Sequence, residues 1–205
     1  MEFKFYTAYY ISLYTRRRAS TLRELAAGIR EVDKYTLFHH VFHAIRSKHL
    51  LPPKYSNDFA KWVGEEVGDE ELAAELSDIS GAEPNTIEDI RKELLQVLVD
   101  KADERRGREP FIFVAMEPVV VETDYVARSP EELLYALEEV PGESVIYHFV
   151  TRRILGGYVK NDFSLWLEAW GLTEAASELS RIDPLAYSSE EALRQDIVKT
   201  LKKWV

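Results

Sequence analysis

Short sequence patterns in the first half of the chain recur in the same order in the second half. The matched segments are 3–5 with 111–113, 21–25 with 129–133, 36–41 with 145–150, 57–63 with 161–167, and 73–79 with 176–182. So many ordered matches predict an internal duplication. The charged run around 100–110, with Gly107 and Pro110, suits a junction. We therefore predict two units, residues 1–106 and 107–205, packed as one globular body.

Each unit is predicted to be helical after a short apolar segment at its beginning. Residues 3–14 and 111–126 are rich in aromatic and β-branched side chains, so each could form one strand, and the two strands could pair to join the units. Helical spacing of apolar residues follows, and the last helix of each unit is predicted near 86–104 and 189–203. The predicted fold class is mainly α: a tandem duplication of a four-to-five-helix unit with pseudo-twofold symmetry and one short strand at the start of each unit.

Two helix starts are marked by the residues that cap helices. Thr21 and Glu24 in the first half, and Ser129 and Glu132 in the second, have the spacing of a capping box. Pro130 would occupy the first helical position, where its missing N–H costs nothing. These patterns predict helices that begin at residues 22 and 130.

Composition narrows the class of protein. The chain has 205 residues, of which 46% are hydrophobic, and it has no cysteine and no apolar run long enough for a membrane helix. We therefore expect a cytoplasmic protein without disulfides, Cys-type metal sites or contact with a membrane. Asn and Gln are scarce while Glu, Lys and Arg are abundant, which is typical of a thermophilic source. No phosphate-binding glycine motif occurs, so no cofactor is expected.

Charge is distributed unevenly along the chain. The net charge is −10. Residues 1–108 carry 17 basic and 19 acidic side chains, whereas residues 109–205 carry 9 and 17. A nucleic-acid partner is excluded because phosphate neutralisation needs a basic face. The one basic cluster, at residues 16–18, is interpreted as a solvated loop.

Three of the five histidines lie within five positions of one predicted helix, at His39, His40 and His43. His39 and His43 are four residues apart, which places them on one helix face where they could share a metal, with Asp58 as a third ligand. The glutamate of an HExxH motif is missing, and Arg152 matches His43 in the second half. The main prediction is therefore no metal, with His39 and His43 as the minor alternative.

A histidine and an Asn-Asp pair recur in both halves. His39 is matched with His148, and the pairs at 57–58 and 161–162 each precede an apolar helix pattern. The Asn-Asp pairs are typical helix N-caps, and a nearby histidine could bond the Asp and fix the loop. Alternatively, the Asp could orient the histidine as a general base. His39, Asp58, His148 and Asp162 are thus the candidate catalytic residues, although no nucleophile motif accompanies them.

One stretch of the second half resembles a known family. Its motifs are SPEELLYALEEVP at 129–141, SVIYH at 144–148, NDFSLWL at 161–167 and ASEL at 176–179. They are similar to a family of uncharacterised archaeal and bacterial proteins built from one or two helical units with a Tyr-His and a DF-x-x-W pattern. The first half departs from it, with TLFHH in place of SVIYH. The resemblance implies a prokaryotic setting and brings no activity with it.

Two hypotheses of function follow. The first is a non-enzymatic protein-interaction or regulatory module whose partner is a protein, including a second copy in a homodimer. The second is a small-molecule-binding or hydrolytic protein that uses the His and Asp residues in a cleft between the two units. The sequence does not decide whether the protein is an enzyme.

Overall fold

A computed structural model describes residues 1–46 and 53–205. Its central feature is a long antiparallel pair of strands, β1 (Phe3–Thr21) and β2 (Arg106–Ala127), which form a two-stranded sheet. We call this sheet the ribbon. Its register pairs Phe3 with Ala127 near one end and Ile11 with Glu117 near the middle. Aromatic and β-branched residues dominate the middle of both strands, as such a sheet requires.

The predicted fold class is wrong. The strands have 19 and 22 residues rather than being short starts of helical units, and they pair with each other at the centre of the fold. The structure therefore shows helices packed on a ribbon and does not show the predicted mainly α tandem duplication. Charged residues caused the error: residues 16–18, interpreted as a solvated loop, lie within β1. Strands at a sheet edge carry such charges on their solvent side.

The helices follow each strand in turn. After β1 come α1 (Leu22–Glu31), α2 (Lys34–Val41), α3 (His43–Arg46), α4 (Asp58–Trp62), α5 (Glu70–Ser77) and α6 (Ile87–Leu98). After β2 come α7 (Pro130–Glu139), α8 (Gly142–Ile146), α9 (Arg152–Gly156), α10 (Asp162–Ala169), α11 (Thr173–Ser180) and α12 (Glu190–Leu201). Two π-helical turns, Val63–Val67 and Tyr147–Thr151, extend α4 and join α8 to α9. A short 3-10 turn, Pro184–Ala186, precedes α12.

The predicted helix starts are confirmed. Thr21 and Ser129 are the N-caps of α1 and α7, and their hydroxyl oxygens accept the amide N–H groups of Glu24 and Glu132. Each glutamate carboxylate in turn accepts the amide N–H of the residue before the cap, at distances of 2.6 and 2.7 Å. Pro130 is the first residue of α7. Each strand therefore passes directly into a capped helix.

One apolar core runs through the molecule and contains residues of both predicted units. Helix α2 packs against β2, and α8 packs against β1, so each strand is covered by a helix distant from it in sequence. The division at residue 106 stays a prediction. In the described ranges, no helix has the length and apolar character needed to span a membrane.

Candidate functional site: two His-Asp pairs at the ribbon

The register of the ribbon shifts at three places: between Lys4 and Tyr6, between Tyr14 and Arg18, and between Ala19 and Thr21. We call the first two of these the first and second bulge. At these bulges, backbone groups lose the partners that a regular ladder provides. Threonine hydroxyls satisfy some of them: Thr123 donates to the carbonyl oxygen of Phe5 at 2.8 Å, and Thr15 donates to that of Phe113 at 2.5 Å.

His148 satisfies an amide at the first bulge. Its Nε2 accepts the backbone N–H of Tyr6 at 2.8 Å, and its Nδ1 lies 2.7 Å from the carboxylate of Asp162. The histidine belongs to the π-helical turn and is almost fully buried. Its ring packs against Phe3 and Phe163, with centroid distances of 4.9 and 5.7 Å. The side chain therefore links the π-helical turn Tyr147–Thr151 to β1.

His40 makes the same arrangement at the second bulge. Its Nε2 accepts the backbone N–H of Val114 at 2.9 Å, and its Nδ1 lies 2.9 Å from the carboxylate of Asp58. The ring is buried against Phe111 and Phe59, with centroid distances of 4.7 and 5.5 Å. His40 thus links α2 to β2 through a hydrogen bond, and His148 links the π-helical turn to β1 in the same way.

The hydrogen bonds define the protonation state of both rings. An Nε2 that accepts an amide N–H carries no proton, so the proton lies on Nδ1 and is donated to the aspartate. Both imidazoles are therefore neutral, and both ring nitrogens are occupied. Burial lowers the pKa of His148, although its contacts with Asp162 act in the opposite direction. The neutral form is the one that the backbone contact requires.

The structure brings together only part of the predicted set. His148 and Asp162 are paired as predicted, but Asp58 pairs with His40 and His43 rather than with His39. The second oxygen of each aspartate accepts from a more exposed neighbour, His43 at 3.0 Å or Arg152 at 2.9 Å. The sequence reasoning missed His40 because it matched residues 36–41 at a spacing of 109. The spacing of 108 that relates the strand motifs would have matched His40 with His148.

The two residues of each Asn-Asp pair have different roles. Asn57 and Asn161 are the N-caps of α4 and α10, and each side-chain oxygen accepts an amide N–H at 2.9 Å. The prediction of a capping asparagine is therefore confirmed. The following aspartates instead turn back to the histidines. Burial alone would raise the pKa of Asp58, but the hydrogen bonds from His40 and His43 hold it below its usual range.

A metal site at the first pair has the right residue types. Side-chain donor atoms of His39, His40 and Asp58 lie within 4.8 Å of one another. However, coordination through Nδ1 of His40 would move the ring proton to Nε2, where it would face the amide N–H of Val114. The rings of His39 and His43 are stacked at 5.3 Å with an interplanar angle of 19°. Near-parallel stacked rings cannot both direct an in-plane lone pair at one ion, so this geometry does not favour the His39–His43 alternative.

Comparison with known proteins agrees with the fold. The structure of OrfY from Thermoproteus tenax is 56% identical to this chain, with a TM-score of 0.95, and the match covers 99% of this chain and 95% of that one. No curated protein is significantly similar to the chain. A model of a family of unknown function, DUF5752, matches residues 1–202. Because that match covers nearly the whole sequence, the chain belongs to the DUF5752 family of unknown function.

Proposed function

We propose that the chain is a non-catalytic protein-interaction module whose contact surface is the exposed apolar face of the ribbon. The observation that carries this proposal is a row of exposed apolar side chains on one face of a sheet. Exposed contiguous apolar patches are uncommon on monomers and often mark interaction sites. A cytoplasmic setting remains part of the proposal, as composition suggested.

The chemistry of the His-Asp pairs argues against a hydrolytic role. A general base needs a ring nitrogen that is free to take a proton from a substrate or water. In His40 and His148 both nitrogens are engaged, by an aspartate and by a backbone amide. Both rings are also buried. The two pairs therefore support a structural role, which removes the main support for the hydrolytic alternative.

The apolar face is defined by the register of the ribbon. Tyr9 pairs with Val119, and Thr7 pairs with Val121, so these residues share a face with Ile11 and Leu13. The five large apolar side chains of this face are 43% to 59% exposed; they are Tyr9, Ile11, Leu13, Val119 and Val121. We call this set the apolar face. Glu117, opposite Ile11, lies on the same face, and Tyr35 of α2 borders the same pocket as Leu13.

The partner that fits the apolar face is a second copy of this chain. If two ribbons stack in antiparallel directions about a twofold axis, the apolar side chains of one copy meet the same side chains of the other. Such an isologous contact is self-complementary because both copies present the same patch.

Adjacent valines allow a matched test of this contact. Val119 is 43% exposed and Val120 is 46% exposed, but successive strand residues point to opposite faces. We expect the wild-type chain to reach dimer mass in sedimentation velocity as its concentration rises through the micromolar range. Val119→Glu should remain monomeric because it places a charge in the contact. Val120→Glu should dimerise like the wild type.

Two results would refute this surface as a self-docking site. One is a wild-type chain that stays monomeric at all concentrations up to about 0.3 mM, where even weak dimers are populated. The other is an equal loss of dimer in both valine variants, which would place the contact elsewhere. Far-ultraviolet circular dichroism of both variants checks that the ribbon and helices are intact.

A further inference from the structure

A cleft opens beside the first His-Asp pair. It has a volume of about 520 Å³, within the range of small-molecule sites. Its apolar wall is formed by Trp62, Phe111, Ile112 and Val114. Tyr14 stands at its margin and is among the most exposed aromatic residues of the described chain. His148 does not line this cleft, so the two histidine pairs do not share it.

His39 lines the cleft and has no polar partner. Its side chain is 9% exposed, and neither ring nitrogen makes a hydrogen bond to any residue that the structure describes. Burial, together with the neighbouring His40 and Arg46, lowers the pKa of His39 to about 3. The ring is therefore neutral at pH 7 and offers one lone pair. A buried polar group without a partner is costly, so the His39 ring would gain from a hydrogen-bond donor that enters the cleft.

The charge of the cleft is strongly negative. Asp58, Glu65, Glu66 and Glu109 line it, against a single Lys61. Asp58 is engaged by two histidines, and Glu66 accepts the backbone N–H of Glu109 and forms an ion pair with Arg108. Within the described ranges, the carboxylates of Glu65 and Glu109 make no hydrogen bond or ion pair. Two unpaired carboxylates and a neutral imidazole thus surround a partly apolar space.

We infer that this cleft is a binding site for a small aliphatic amine. An ammonium group carries N–H donors and a positive charge, so it can donate to the His39 lone pair and is attracted by the carboxylates of Glu65 and Glu109. The methylene groups would lie against Trp62 and Ile112 and remove apolar surface from water. A carboxylate ligand would meet the like charges of the cleft. This inference is independent of the apolar face, so either proposal can fail alone.

Isothermal titration with n-butylamine and 1,4-diaminobutane tests the site in the full-length chain. We expect saturable binding at one site per chain, with little binding of n-butanol or butyrate. His39→Phe should weaken binding at least tenfold because it removes the acceptor while keeping a flat ring. Glu65→Gln and Glu109→Gln should each weaken it by roughly threefold to tenfold, the loss of one charge-assisted contact. Glu71→Gln, outside the cleft, should leave it unchanged.

The remaining outcomes overturn the inference. Binding that is equal in all four variants and the wild type would show association with the acidic surface in general. Binding of Mg²⁺ or Zn²⁺ that displaces the amine and survives in His39→Phe would identify a metal site formed by the carboxylates. Absence of saturable binding of either amine up to about 10 mM would overturn the inference.

Discussion

Replacing His148 with alanine is expected to lower the free energy of unfolding by about 3 kcal/mol. The change leaves the amide of Tyr6 without its acceptor at a bulge and removes the histidine that pairs with Asp162. It also leaves a space beside Phe3, where the ring was packed. His40→Ala should cost a similar amount, because the ring makes the corresponding contacts with Val114 and Asp58. Guanidinium-induced unfolding measures both losses.

His43→Ala is the matched control for this prediction. His43 also bonds an oxygen of Asp58, but its side chain is 46% exposed. Exposed pairs contribute little, so the variant should lose less than about 1 kcal/mol. If His40→Ala and His148→Ala were as mild as His43→Ala, the histidines would not be holding the ribbon, and their structural assignment would be wrong.

Gly28→Ala is expected to destabilise the protein by about 2 kcal/mol, although alanine favours a helix over glycine by about 1 kcal/mol. Gly28 lies in α1, and a Cβ there would stand 2.1 Å from Cζ of Phe113. Phe113 is fully buried in the apolar core and cannot swing into solvent. The glycine therefore permits the close approach of α1 to the ribbon. Thermal and guanidinium unfolding measure the loss.

A second substitution separates this clash from other effects of alanine. In a Phe113→Leu background the shorter side chain leaves room for the new methyl group, so Gly28→Ala should cost little or become stabilising. The expected coupling between the two positions is at least about 1 kcal/mol. Additive losses would mean that the alanine disturbs something other than the contact with Phe113.

Local features of the chain were predictable because they depend on neighbours in sequence. The caps of α1 and α7 follow from hydroxyl and carboxylate residues three apart, and the capping role of Asn57 and Asn161 follows from their position before an apolar helix pattern. The helices predicted near 86–104 and 189–203 are found as Ile87–Leu98 and Glu190–Leu201. In each case local backbone chemistry decides the structure.

The length of the strands and their central place in the fold depend on tertiary contacts, which the pattern did not show. β1 continues through the charged residues 16–18, and β2 pairs alongside again at Arg18, which lies opposite Ile112. The bulges also have no clear sequence signal. Without the bulges there is no reason to expect a histidine to accept a backbone amide. The pairing of Asp58 with His39 follows instead from matching residues 36–41 at a spacing of 109, where 108 relates His40 to His148.

Nitrogen-15 NMR of the histidine rings tests most directly whether His40 and His148 hold the ribbon. We expect both to be neutral at pH 7 with the proton on Nδ1, and we expect a coupling across the hydrogen bond from the amides of Val114 and Tyr6 to Nε2. His43→Ala should leave these signals in place. Protonation of Nε2 in either ring at pH 7, as an imidazolium or as the other tautomer, would contradict the structural role of that His-Asp pair.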